Sequence, residues 1–405
     1  MARLGIDFGT SNTGAGILVD GRPATIPLEP DARTLPTAVF VDFTAQRFVY
    51  GEAAARAMME GQDGRFLRGL KSILGTPLAR ERRQFLKERL TLIEIIARFL
   101  GEIRQRSEKH TGQSFDTALS GRPVKFHSES DDRDQQAEAD LREAYSLAGF
   151  REVEFLPEPE AAALAVAGEG RMLIVDIGGG TSDFTLCERS GPETRVIASR
   201  GLRLGGTDFD RSLSLAHVMP LLGHGAEIGA ELGSKTHTAP RALFNDLASW
   251  EKIAFVYDAA LLRDVRRWAR LAKEPERFER LAEVLDMHLG HDIAYAVEAG
   301  KIAANDAGRG EITLDVVQRG LLVDLYDAQM QHELATAAEQ IGEMALATLA
   351  DADCAPGSVD MVVFVGGSSL LTGVRRALAQ RLPDARQETA EVFTAVVDGL
   401  AIAAG

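Results

Sequence analysis

The sequence predicts an α/β protein built from two similar halves, and three observations carry that prediction. Leu4-Gly5-Ile6-Asp7-Phe8-Gly9-Thr10-Ser11-Asn12 is echoed about 170 residues later by Leu173-Ile174-Val175-Asp176-Ile177-Gly178-Gly179-Gly180-Thr181-Ser182-Asp183, with two additional glycines in the second copy. A third glycine turn, Gly366-Gly367-Ser368-Ser369, follows the apolar run Met361-Val362-Val363-Phe364-Val365 and precedes a helical stretch over about 371–382. Between these landmarks, short apolar runs alternate with segments of helical periodicity.

Each echoed unit reads as a hairpin, because Gly16-Ile17-Leu18-Val19 and Phe184-Thr185-Leu186-Cys187 supply a second short apolar run after each turn. The stretches 86–106 and 324–349 read as helices; in the latter Met330, Leu334, Ala337, Ile341 and Met344 share one face. Residues 221–240, with scattered Gly, His and Thr, read as a loop before a helix over 244–254. Arg263, Arg266, Arg267, Arg270 and Lys273 surround Trp268, but Asp264, Glu274, Glu276 and Glu279 are interleaved, which predicts a solvated helix face of mixed charge.

Composition narrows the function. The 405 residues suffice for two or three domains, and 45% hydrophobic with 26% charged residues is an ordinary globular balance. The 60 acidic against 45 basic residues, a formal charge of −15, argue against a phosphate-binding surface for nucleic acid. Cys187 and Cys354 are too few and too far apart for a disulfide framework or a cysteine zinc site, so both are expected as buried thiols in a reducing compartment. Asp7 stands where a secretory signal would need its apolar core, and the most hydrophobic segment, 90–100, holds Glu94 and Arg98 and is far short of the ~20 residues that cross a bilayer. A cytoplasmic protein with no membrane partner is expected.

The chemistry follows from where the carboxylates stand. Asp7 and Asp176 each close an apolar strand just before glycines, and two hard oxygen donors at neighbouring strand ends suit Mg²⁺ held through its waters. Glycine turns suit the phosphates such a metal bridges, since their backbone N–H groups meet an anion without a Cβ in the way. The plainer alternative, each Asp capping its own turn, loses force once the motif occurs twice. His288 and His291, with Asp292 beside them, have a spacing compatible with two metal ligands but no third in the sequence. No Ser-His-Asp arrangement and no Gly-Lys-Ser/Thr phosphate loop is present.

These motifs together resemble the actin-like ATPase superfamily, and within it the nucleotide-binding domain of DnaK-type heat-shock chaperones, the heat-shock protein 70 family. Gly5 to Asn12 resembles that family's first phosphate motif and Val175 to Asp183 its second. Pro157-Glu158-Pro159-Glu160-Ala161-Ala162-Ala163-Leu164-Ala165 resembles the connecting helix and Gly366-Gly367-Ser368 the adenosine motif. The resemblance implies two lobes, each with a ribonuclease-H-like mixed sheet and an inserted subdomain, around a nucleotide cleft. Lobe I would cover 1–172, its core 1–35 and 115–172 and its insertion 36–114. Lobe II would cover 173–405, with core 173–210 and 305–405 and insertion 211–304.

The same resemblance implies residue roles. Asp7 and Asp176 would hold Mg²⁺ through water, and Gly9, Thr10, Ser11 and Asn12 would meet Gly178, Gly179, Gly180 and Thr181 around the phosphates of ATP. Lys71, Glu158, Asp183 and Thr181 would serve hydrolysis, Lys71 by neutralising the γ-phosphate and orienting water. Gly205 and Gly206 resemble a further phosphate turn. Glu298 and Lys301 resemble the pair that holds the adenosine sugar; without the resemblance, their i, i+3 spacing reads as a surface ion pair. Gly366, Gly367 and Ser368 would line the adenosine side.

Departures from the family are as informative. Ile302 and Leu370 stand where two arginines usually sandwich the adenine, exchanging cation–π stacking for apolar contact at roughly 0.5–2 kcal/mol per contact. Gly121-Arg122-Pro123-Val124-Lys125-Phe126 is closer to bacterial actin relatives. With Gly405 as the last residue, no peptide-binding domain is expected, and the chain resembles the truncated YegD-like subfamily. The implied function is a Mg-dependent, slowly hydrolysing, nucleotide-switched and chaperone-like ATPase, with a protein client or regulator as partner. An actin-like filament protein and a small-molecule kinase are the alternatives on the same fold.

Overall fold

The computed structural model describes residues 3–30, 32–191, 193–231, 235–390 and 394–405. The chain packs as two compact units, residues 1–206 with 338–405, and residues 207–337.

The first unit holds both expected sheets. One runs in the spatial order Glu152–Pro157, Thr117–Arg122, Arg3–Phe8, Asn12–Val19, Arg22–Ile26, with Thr34–Pro36 also paired to Asn12–Val19. Its hairpin register pairs Asp7 with Gly14, and Arg3–Phe8 is parallel to Thr117–Arg122, so the sheet is mixed. The second sheet runs Glu193–Leu202, Ser182–Ser190, Gly170–Ile177, Met361–Val365, Arg386–Thr389 and repeats the plan: an antiparallel hairpin beside a parallel partner. Strands buried on both faces read as continuous apolar runs, and Leu173, Ile174 and Val175 with Met361 to Val365 are of this kind.

Two helices tie the sheets together. Glu158–Ala165 and Ala395–Ala404 cross closely, and Ala161, Ala162, Ala163, Val396 and Leu400 share one core cluster with Leu119 of the first sheet and Ile174 and Val363 of the second. Gly399 makes the crossing: a Cβ there would overlap the Ala161 carbonyl. The C-terminal helix thus packs on Arg3–Phe8, Asn12–Val19 and Arg22–Ile26, although the sequence had placed its residues in the second lobe.

Two smaller sheets complete this unit's described strands: Ala38–Asp42 between Arg47–Tyr50 and Gly64–Arg68, and the hairpin Arg83–Phe85 with Glu88–Leu90. That hairpin shortens the helix expected over 86–106, which starts instead at Leu92 and runs to Thr111. Thr91 and Glu94 form a reciprocal capping box that fixes the start, and Gly112 in the left-handed region ends the helix.

The second unit, wider than the insertion expected at 211–304, is mainly helical. Gly290–Ala307 packs on the hairpin Arg309–Thr313 with Leu322–Tyr326. The helix expected over 324–349 begins as that strand and continues as Asp327–Glu333 and Ala335–Asp351. The 221–240 segment contains a short hairpin, Glu227–Gly229 with Thr236–Thr238, and the helix expected over 244–254 is Arg241–Leu247 followed by a separate 3₁₀ turn. The basic cluster lies on Ala259–Leu271, where Arg266 pairs with Asp286 and Arg267 with Asp264, as a mixed-charge face should. Among the described residues no helix is long and apolar enough to cross a membrane.

Candidate nucleotide site

The two echoed turns meet. A Cβ added to Gly180 would lie 2.9 Å from both Thr10 Oγ1 and Ser72 Oγ, and one on Gly179 would lie 2.5 Å from Ser11 Oγ. Gly205 closes on the same turn, since its Cβ would fall 2.6 Å from the Gly180 nitrogen. The Gly206 N–H donates to the Gly178 carbonyl at 3.0 Å, and Gly366 abuts the Ile177 carbonyl and the Asp176 carboxylate. Four glycine turns, distant in sequence, therefore converge within the first unit with little but backbone between them.

Lys71 arrives from the other side. It sits in the 3₁₀ turn Leu70–Ile73, whose left-handed Gly69 turns the chain inward. The turn is anchored at its far end: the Gly75 N–H donates to buried Asp140 at 2.9 Å, and His127 Nε2 donates to the Leu74 carbonyl at 2.7 Å. Lys71 is buried and ion-paired with Glu158, the first residue of the Glu158–Ala165 helix. Burial works against its charge, but Glu158, Asp7 and Asp183 outweigh it and hold the ammonium above its usual range.

The carboxylates are strained in the opposite sense. Burial first, then Glu158, pushes Asp7 up to about 7 against the pull of Lys71. Burial and Glu158 push Asp183 up to about 8, although it accepts the Val124 N–H at 2.7 Å and a bond from Thr181. Burial, Glu158, Asp183 and Asp7 raise Asp176 well above a normal carboxylate. Four carboxylates around one ammonium form a site that lacks positive charge, which is the electrostatic setting a divalent cation reverses. Among the described residues no three His, Cys, Asp or Glu side chains are close enough to ligate a metal directly. His288 stacks on Tyr257 and His291 lies beside Trp250, so no such site arises there either.

Thr10, Lys71, Ser72, Pro123, Phe126, His127, Gly180, Thr181 and Arg203 line one pocket between the turns. Thr10, Lys71, Gly180 and Thr181 were legible in the sequence as site residues; Ser72, Pro123, Phe126, His127 and Arg203 were not. Arg203 stands two residues before the Gly205-Gly206 turn, so that motif carried the signal. The segment Gly121 to Phe126 also serves this site through Val124 and Asp183.

The remaining candidates lie elsewhere. Ser368 is in the 3₁₀ turn Gly367–Leu370 of the first unit, against Gly206, and Leu370 is 40% exposed. Asn12 opens its strand opposite Pro36. Glu298, Lys301 and Ile302 are on Gly290–Ala307 of the second unit. Lys301 is buried and pairs with Asp210 at 2.7 Å, while Trp250 Nε1 donates to the same carboxylate at 3.2 Å, so Lys301 is not part of a surface ion pair. Ile302 is 52% exposed, unusual for isoleucine. Cys187 is buried, and burial pushes its thiol up to about 11; Cys354 is only half-buried, correcting the expectation of two buried thiols, because it lies in the turn after Ala335–Asp351 beside Ser358.

A protein-family model described as Hsp70 protein matches residues 3–232, more than half of the chain. Chaperone protein DnaK of Thermoplasma volcanium is 32% identical over 222 residues, covering 52% of this chain and 34% of that relative. The chain thus spans about a third of the length of the curated relative it matches. With two mixed sheets of the same plan, paired hairpin turns and the matched segment running through Asp7, Lys71, Glu158 and Asp183, the chain belongs to the Hsp70 protein family.

Proposed function

We propose that this chain binds ATP with Mg²⁺ and hydrolyses it slowly, as the nucleotide-switched part of a chaperone-like activity in the cytoplasm. The observation that carries the reading is the pocket in which Thr10, Gly180 and Thr181 from the two turns face Lys71. Glycine turns offer backbone N–H groups to phosphate oxygens, and the two threonine hydroxyls add donors at the same place.

The carboxylate set fits a hydrated divalent cation: Asp7 and Asp176 would hold it through its waters, with Asp183 and Glu158 completing the shell. Bound there with the nucleotide, the cation would supply charge neutralisation across the phosphates. Lys71 orients toward the terminal phosphate while Glu158 fixes its direction. Asp183, held by the Val124 N–H and by Thr181, would turn toward an attacking water once the cation stabilises its carboxylate form. Leu370, in the turn that begins at Gly367, would lie against the base, and within the second unit Lys301 is steadied by Asp210. Apolar flanks hold a base less tightly than arginines and discriminate less among bases.

Following ADP and phosphate release with Mg-ATP, with and without an unfolded peptide, tests the reading. Slow magnesium-dependent release supports it, and peptide stimulation identifies a client-coupled switch. No release in the presence of magnesium would overturn hydrolysis as the function.

A further inference from the structure

We propose that Arg203 is a second cationic contact to the terminal phosphate, an assignment that rests on the ATP-hydrolysis reading and adds a residue the motifs do not supply. Arg203 immediately follows the strand Glu193–Leu202, and both its ends are fixed. Its backbone N–H donates to Ser128 Oγ at 3.2 Å, and its Nη1 donates to the Gly180 carbonyl at 2.7 Å. The half-buried side chain lines the same pocket as Thr10, Lys71, Gly180 and Thr181.

Charge gives the reason for a second cation. Lys71 is already ion-paired with Glu158 and lies in the field of Asp7 and Asp183, so much of its positive charge is compensated before any phosphate arrives. A γ-phosphate entering between the turns meets more negative than positive charge from the protein. Arg203 and Lys71 are the lysine and arginine side chains lining the pocket, and Arg203 approaches from the Gly180 side. A guanidinium carries five N–H donors in one plane, so a bond to the Gly180 carbonyl is compatible with another to a phosphate oxygen. Held on that carbonyl, the group would meet charge developing on the transferred phosphoryl oxygens without having to reorganise.

The contact is specific to the third phosphate, which separates it from a structural role. Calorimetric titration of the full chain with Mg-ADP and with the Mg complex of the β,γ-imido analogue of ATP, on wild type, Arg203→Gln and Arg203→Lys, tests it. In Arg203→Gln, ADP affinity should stay within about twofold while the imido analogue weakens about tenfold or more, and Arg203→Lys should recover part of the loss. Glutamine keeps an N–H for the Gly180 carbonyl, so wild-type binding of both ligands by Arg203→Gln would overturn the assignment. Equal weakening of both ligands would overturn it too, by showing that Arg203 only shapes the turn. Wild type that binds neither nucleotide would sink the hydrolysis reading itself, and the assignment with it.

Discussion

Asp176 and Asp183 are register partners across the second hairpin, two carboxylates directly opposite each other at the mouth of a glycine turn. Like charges so placed destabilise a strand pair, and here both are also buried. A fold that keeps them there is retaining a feature its own packing opposes.

The first prediction concerns pH. Asp7 and Asp183 titrate near 7 and 8 in the folded chain but near 3.8 when unfolded, so between those values the native state binds more protons. Stability from these groups is then fully present below about pH 4 and is lost as pH rises through about 7 to 8. Thermal melts of the ligand-free chain should fall from about pH 6 to about pH 8.5, and Asp183→Asn should flatten that fall. A melting temperature that rises over the same interval would contradict the electrostatics described here.

Lys71→Ala should lower ATP turnover by at least about 100-fold while nucleotide binding is retained, because the lost contact acts on charge that develops during transfer. Single-turnover rates and equilibrium titration separate the two effects. An unchanged rate would remove Lys71 from the mechanism.

Gly399→Ala should destabilise the first unit by about 1–3 kcal/mol, since the added methyl meets the Ala161 backbone and the two helices cannot both keep their place. Chemical denaturation measures this directly. Because Ala161 shares a helix with Glu158, the same variant should also slow turnover.

Leu370→Arg should tighten ADP binding by about threefold or more and sharpen the preference for adenine over guanine, if the base lies beside the Gly366-Gly367-Ser368 turn as proposed. Competition between ADP and GDP reads both. No change in either would place Leu370 away from the base.

Much of the site was legible because it is local. Asp7, Thr10, Asp176 and Thr181 sit in strings whose strand–turn–strand pattern repeats, and a repeat is visible without knowing the fold. Lys71 and Glu158 are 87 residues apart, and only a family resemblance connected them; no spacing rule predicts an ion pair that the sheet and a helix start bring together. Lys301 was read from its helical neighbours, but its partner, Asp210, is 91 residues away in sequence (301 − 210), so its burial was invisible. The ends of the helices near residues 86 and 324 were missed for another reason. Periodicity extends through short strands that precede a helix, and the stop is set by a cap such as Thr91 rather than by hydrophobicity.

The convergence of glycine turns also says how such a site would decay. Its chemistry is written partly in side chains and partly in atoms that are not there. A chain that drifted away from nucleotide binding would not have to lose Lys71 or Asp176. One methyl group gained at Gly180 or Gly205 would fill the space first, so silence at this site could arise by addition as readily as by loss.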